Sequence, residues 1–295
     1  MALIKGVLPP MITPFSDTGE VDFEGFVANI HKWNKDKLAG YLVIGSNSET
    51  AYLDEAEKLE LVRLTAENAD PGRHVMAGTG MESARNTIAF TNKCASLGAQ
   101  SALVLTPSYY LGAMNSGAMI RFFTAVADAS EIPILIYNVT KFTHVNIGVD
   151  AVAELSRHPN IVGMKDSNGD IAQLVTFLEV ADPSFQVMPG TFSVWYSALA
   201  LGLTGIISAM ANCCPNPIAE VQELFDAGEW ATALALYQRF FPVNAAVTGR
   251  YGVAGLKYSA TQAGYTGGHV RNPLADSSAT DQAELDAILA KALNR

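Results

Sequence analysis

Short apolar runs alternate with longer stretches of helical periodicity along the whole chain. The runs are Gly6–Thr13, Gly40–Ile44, Val75–Gly78, Ala102–Thr106, Ile132–Tyr137, Ile161–Lys165, Phe185–Met188 and Gly205–Ala209. They are continuous rather than alternating, which suits parallel strands buried on both faces. Between them, apolar residues recur at three- and four-residue spacing. Phe23, Phe26, Ile30 and Trp33 mark the first such segment, and Leu61, Val62 and Leu64 mark the second, behind Asp54 as N-cap. The same spacing recurs around Phe90, Phe123, Val152, Phe177, Ala198 and Val221. Eight strand–helix units predict an α/β fold, a (β/α)8 TIM barrel with additional C-terminal helices. A doubly wound open sheet, which commonly has fewer strands, is the second reading.

Beyond the eighth run, Pro215 and Pro217 punctuate a turn. The remainder predicts appended helices over Ala231–Phe241, Val253–Ala263 and Asp281–Leu293. The expected division is 1–215 for the barrel through strand eight and 216–295 for the eighth barrel helix and the appended helices, packed as one structural unit.

Composition narrows the classes of function. Of the 295 residues 49% are hydrophobic and only 16% charged, which excludes a disordered or fibrous chain. The net charge of −10, with no run of Lys or Arg, argues against a nucleic-acid or anionic-membrane partner. A small anionic substrate remains compatible, because one local cation outweighs a distant surface field. The start, Met1 to Val7, carries no basic segment followed by a long apolar one, so no signal peptide is expected. The longest uncharged apolar stretch, Val194 to Met210, is interrupted by Gly202 and Gly205 and predicts no membrane span. Three cysteines, Cys94, Cys213 and Cys214, make no disulfide framework, and a cytoplasmic location is expected.

In a barrel of this kind chemistry gathers at the C-terminal ends of the strands. The residues closing the runs are Ser46, Asn47, Tyr110, Tyr137, Asn138, Lys165, Asp166, Gly190, Thr191 and Asn212. Lys165 ends a buried strand, where desolvation favours the neutral amine that attacks carbonyls. Its structural alternative is a head that reaches solvent or pairs with Asp166. Tyr137 closes the preceding strand, where a phenol can shuttle protons, or simply keep a buried ring and a wet hydroxyl. Gly45-Ser-Asn-Ser-Glu offers backbone donors to a carboxylate, or ordinary turn chemistry.

Other motifs fail. Gly78-Thr-Gly-Met-Glu-Ser has Ser83 where a dinucleotide loop needs its third glycine. The stretch from Asp166 has Ile171 and Phe177 where a calcium loop needs glycine and glutamate, so helix capping by Asn168 or Asp170 is the expected role. The five histidines show no ligand spacing, so no metal and no cofactor is expected.

Several stretches together resemble the pyruvate-dependent class I aldolase and lyase family of dihydrodipicolinate synthase and N-acetylneuraminate lyase. They are Gly6-Val-Leu-Pro-Pro-Met-Ile-Thr-Pro-Phe, Gly45-Ser-Asn-Ser-Glu, Thr106-Pro-Ser-Tyr-Tyr, Ile136-Tyr-Asn, Gly163-Met-Lys-Asp-Ser and Gly205-Ile-Ile-Ser. The resemblance implies that Lys165 forms a Schiff base with pyruvate and that Tyr137 relays protons to it. It implies that Ser46 links Tyr137 to solvent, that Asn47 follows in the carboxylate-binding loop, and that Ile207 presents its backbone near the imine. Gly190, which closes the seventh run, is expected in the substrate-binding set. The resemblance also implies a homotetramer, a dimer of dimers, in which Tyr110 crosses into a neighbouring subunit's site.

The chain departs from the synthase pattern at three positions. Phe142 occupies the slot of the arginine that holds the second substrate's carboxylate, Thr140 replaces a proline, and Ser48 replaces a loop glycine. Tyr109-Tyr-Leu-Gly-Ala-Met-Asn-Ser and Asn244-Ala-Ala-Val-Thr-Gly-Arg-Tyr-Gly-Val-Ala-Gly-Leu-Lys resemble the 4-hydroxy-2-oxoglutarate aldolase branch. The expected activity is therefore cleavage of 4-hydroxy-2-oxo acids to pyruvate and an aldehyde. The alternatives are 4-hydroxy-tetrahydrodipicolinate (dihydrodipicolinate) synthesis, a sugar-acid dehydratase or aldolase, a barrel isomerase acting on a phosphorylated substrate, and a non-catalytic 2-oxo-acid binding protein.

Overall fold

The computed structural model of the protein describes residues 4–294. Met1–Leu3, part of the stretch read for a leader pattern, and Arg295 lie outside the described residues.

Eight parallel strands alternate with helices. They are β1 (Gly6–Leu8), β2 (Gly40–Val43), β3 (His74–Gly78), β4 (Ser101–Leu105), β5 (Ile134–Asn138), β6 (Ile161–Asp166), β7 (Gln186–Pro189) and β8 (Gly205–Ile207). Strands β2 to β7 pair in chain order, and β1 pairs with β8 in the register Gly6↔Gly205 to Leu8↔Ile207. Backbone bonds from Leu42 to Pro9 (3.0 Å) and from Met11 to Leu42 (2.9 Å) close the ring between β1 and β2. At the seam of β7 and β8, the Gln186 amide exchanges two hydrogen bonds with the backbone of Ile4. The curled sheet is thus a barrel and not an open sheet.

The run Gly6–Thr13 is strand only as far as Leu8. Pro9 and Pro10 have no N–H to give to a ladder, so regular pairing stops there. The eighth run likewise ends as strand at Ile207 and turns through Ala209–Asn212.

The helices are α1 (Phe23–Trp33), α2 (Glu55–Asn68), α3 (Ala84–Ser96), α4 (Ser116–Ala129), α5 (Thr140–Thr143), α6 (Val149–Leu155), α7 (Ile171–Val180), α8 (Trp195–Ala200), α9 (Pro215–Asp226), α10 (Trp230–Ala245), α11 (Gly252–Gln262) and α12 (Ala279–Leu293). Asp54 caps α2 in a reciprocal capping box with Glu57. Asp170, not Asn168, caps α7. The short helix α5, in the loop after β5, has no counterpart in the apolar pattern. Helix α10 continues past Pro242 into a wide turn over 246–250.

Leu8, Leu42, Met76, Leu103, Leu135, Met188 and Ile207 fill the barrel interior, together with Tyr137 and Val139. A second, larger cluster includes the apolar faces of the helices, those of α10, α11 and α12 among them. Helix α10 packs on α9 and α12, and α11 packs on the turn that follows β8. Among the described residues no helix is long and apolar enough to cross a membrane.

Candidate active site

Strands β5 and β6 lie side by side with Tyr137 opposite Lys165 in register. The Lys165 Nζ stands 4.3 Å from the centroid of the Tyr137 ring, and both residues are buried. Successive strand residues face opposite sides of a sheet, so Asp166 points away from Lys165. It accepts instead from Asn138 Nδ2 (2.7 Å), Gln173 Nε2 (2.8 Å) and the backbone N–H of Asn168 (3.1 Å). Burial pushes the Asp166 carboxyl up against these donors. No ion pair joins Lys165 to a carboxylate among the described residues, so Asp166 is not its counter-ion.

Lys165 and Tyr137 line a cleft of about 260 Å³ at the C-terminal mouth of the barrel. Ser46, Asn47, Gly190 and Thr191 line it too, so six of the strand-end candidates meet in one place. Burial pushes the Tyr137 phenol up. The Lys165 charge and hydrogen bonds to Ser46, Ser167 and Lys165 outweigh burial and hold it below its ordinary value. A phenol so placed can exchange a proton with the lysine's substrate adduct and with the neighbouring hydroxyls.

Gly190 owes its place to steric need rather than to a special φ. A Cβ there would stand 1.9 Å from Ser167 Oγ and 2.9 Å from Lys165 Cε. Only glycine lets the start of the β7–α8 loop approach the lysine this closely.

The run-closing positions also include residues that serve the frame. Asn138 is buried and holds Asp166 and the backbone N–H of Ile147. Asn212 ties Ile12 N–H and Pro10 O together beneath the mouth. Ile207 belongs to the barrel interior, and Ala209, two residues on, is the β8-side residue that lines the cleft. Tyr110 lies outside the cleft of its own chain, 73% exposed and edge-on to Tyr109. Ser48 needs no glycine conformation: the left-handed residues of this loop are Ile44 and Glu49, and the Ser48 hydroxyl donates to Met11 O.

Ser167, Asn168, Ser193 and Thr248 line the cleft but did not emerge from the apolar runs. Ser167 was reachable by strand parity, two residues beyond Lys165 and so on its side of the sheet. Thr248 was not, since it arrives from the wide turn after α10.

Outward of the cleft lies a second chamber of about 430 Å³, with a largely apolar lining that includes Ala51, Leu105, Phe142, Val247 and Leu274. Phe142 is more than half exposed. Lys141 borders both chambers, and its Nζ donates to Thr248 O (3.1 Å). Thr140 fixes the loop through Asn168 Oδ1, which accepts from its hydroxyl at 2.7 Å. Arg250 is committed to Glu284 at 2.6 Å and lines neither chamber. Among the described residues no cluster of three or more His, Cys, Asp or Glu side chains is arranged to hold a metal ion.

Comparison with known proteins agrees with this architecture. Residues 3–292 match the model of the dihydrodipicolinate synthetase family. The 4-hydroxy-tetrahydrodipicolinate synthase of Methanospirillum hungatei is 33% identical over 292 residues, 98% of this chain and 99% of the relative. That of Methanoculleus marisnigri is 34% identical over 285 residues, covering 95% and 97%. The solved dihydrodipicolinate synthase of Bacillus anthracis superposes with a TM-score of 0.93 at 27% identity, covering 98% of both chains. The dihydrodipicolinate synthase of Aquifex aeolicus gives 0.91 at 27%, covering 97% of both.

Proposed function

This chain belongs to the dihydrodipicolinate synthetase family, and on that footing we propose that Lys165 is the amine that forms the family's Schiff base, with the ketone of pyruvate or a 4-hydroxy-2-oxo acid. The observation that carries the reading is the buried Lys165 Nζ over the Tyr137 ring in a cleft that also holds Ser46 and Asn47.

The neutral amine attacks C2, and the ketone oxygen becomes the carbinolamine hydroxyl. Tyr137 gives that oxygen a proton as water leaves, and can recover one through Ser46 and Ser167. Ser46 and Asn47 hold the carboxylate. With a 4-hydroxy-2-oxo acid bound, the C4 hydroxyl gives its proton to Tyr137, left as phenolate when water departs, and the C3–C4 bond breaks. The aldehyde departs and the electron pair remains as the enamine. Protonation at C3 and hydrolysis then release pyruvate and free Lys165.

Two readings of the outer substrate are supported by different observations. Phe142, in place of a bidentate arginine, favours cleavage of 4-hydroxy-2-oxoglutarate or a similar acid. The names of the curated relatives favour 4-hydroxy-tetrahydrodipicolinate synthesis. The deciding experiment compares kcat/KM for pyruvate condensation with aspartate semialdehyde against that for cleavage of 4-hydroxy-2-oxoglutarate. Faster cleavage supports the aldolase reading, and faster condensation replaces it with the synthase reading while leaving the imine chemistry intact. The exposed Tyr109, Tyr110 and Leu111 support a homotetramer in which this tip packs on another subunit. Light scattering that gives a monomer mass would refute it.

A further inference from the structure

The turn that carries Ser46 and Asn47 is not held by the barrel alone. Three residues after Ser46 the chain enters the left-handed region at Glu49, with φ 55°. A non-glycine residue persists there only where its surroundings over-determine it. The Glu49 N–H donates to Ser46 O (3.2 Å), so the position of Glu49 is tied to that of the turn. Its side chain is buried and lies 2.5 Å from the Nζ of Lys257, which is equally buried on α11. The carboxylate also accepts from the backbone N–H of Arg271 at 2.8 Å. Lys257 donates to His269 O and stands 4.3 Å from the Phe15 ring centroid. The Arg271 guanidinium stands over the same ring and donates to Tyr52 O, at the far end of the turn. Lys257 lines neither chamber, so it is no second nucleophile.

We propose that Glu49 and Lys257 form a clamp by which the appended C-terminal helices position the Ser46–Asn47 turn for the substrate carboxylate. The inference rests on the reading of that turn as the carboxylate site. Both partners are positioning residues. Lys257 lies away from both chambers, and Glu49 borders the outer one with its carboxylate turned to Lys257 and the Arg271 N–H, so each matters through the geometry of the turn. The clamp explains why a lysine in the appended region, outside the barrel, is buried with its charge matched. Burial pushes the Lys257 ammonium down to about 8, against the pull of Glu49 and Asp276 and with the help of Arg271.

The test is borohydride trapping of the pyruvate imine, followed as a rate against pyruvate concentration. Lys257→Met should raise the half-saturating pyruvate concentration by about tenfold, the cost of one misaligned charge-assisted hydrogen bond. The limiting rate at saturation should change much less. The double variant Glu49→Gln, Lys257→Met removes both buried charges and should regain thermal stability relative to Lys257→Met while keeping the raised half-saturation. A half-saturation that follows stability back to the unmodified value would overturn the proposal. The pH dependence of the unmodified protein, set against that of the double variant, supplies a further arm. The groups facing Lys257 are Glu49 from the turn, and Asp276, Arg271 and His269 from the C-terminal segment. As pH rises through about 8, Lys257 loses its proton and the half-saturating concentration should climb. A profile from pH 7 to 9.5 that coincides with that of the double variant, which shares the titration of Lys165 but lacks the clamp, would also overturn it. Failure to trap any adduct on Lys165 at saturating pyruvate refutes the functional reading instead, so the two failures are distinguishable.

Discussion

Tyr137 and Lys165 are register partners on adjacent parallel strands, and the lysine Nζ lies 4.3 Å from the tyrosine ring centroid. The pairing places an amine and a phenol at one level of the barrel mouth without any loop to position them. Pyruvate with borohydride should therefore leave a reduced pyruvyl group on Lys165, located by peptide mass spectrometry. Lys165→Ala should abolish turnover and trapping alike with the fold kept, as read by circular dichroism. An adduct on another lysine refutes the assignment.

Tyr137→Phe keeps the ring under the lysine and removes only the hydroxyl. Its turnover should fall by roughly 10² to 10⁴. Ser46→Ala should cost less, because Ser167 still reaches the phenol and water can replace one hydroxyl. Steady-state kinetics of the two variants side by side reads this order, and an undiminished rate in Tyr137→Phe returns the residue to a packing role.

Gly190→Ala tests the close approach of the β7–α8 loop to the lysine. The added methyl meets Ser167 Oγ and Lys165 Cε well inside contact distance. The side chains must shift, and a displacement near 1 Å at a reacting group costs about 10²-fold in rate. The prediction is a large loss of trapping rate with a melting temperature close to that of the unmodified protein. Unchanged trapping would mean that the cleft yields more easily than its spacing implies.

His74 gives a pH prediction away from the site. Burial pushes its imidazole down to about 4 from 6.5, while Nε2 shares a hydrogen bond with the Ser101 hydroxyl. The unfolded chain takes up a proton near pH 6.5 that the folded chain refuses until near pH 4. The stability this neutral histidine preserves is thus complete above about pH 6.5 and lost as pH falls toward 4, by at most about 3 kcal/mol. His74→Gln should flatten that limb in urea unfolding measured between pH 7 and 4.5, and an unaltered limb would exclude His74 as its cause.

The apolar pattern by itself determined the eight strands, the helices between them apart from the short α5, and the strand ends where chemistry gathers. Continuous apolar runs are local and mark buried parallel strands, while the closure of β1 onto β8 and β2 is what excluded an open sheet. Lys165 and Tyr137 were legible for the same reason, since each closes a buried run with a polar group that burial makes costly. Only the tertiary structure decided which neighbours those groups have. Asp166 follows Lys165 in the chain yet faces away, bound by Asn138 and Gln173. Thr248 reaches the cleft from the wide turn after the appended helix α10, and Glu49 finds its counter-charge on α11. Sequence patterning reports whether a side chain is buried and on which face, because those follow from periods of two and of 3.6 residues. The partners of a buried charge depend on contacts between distant segments, and no local period records them.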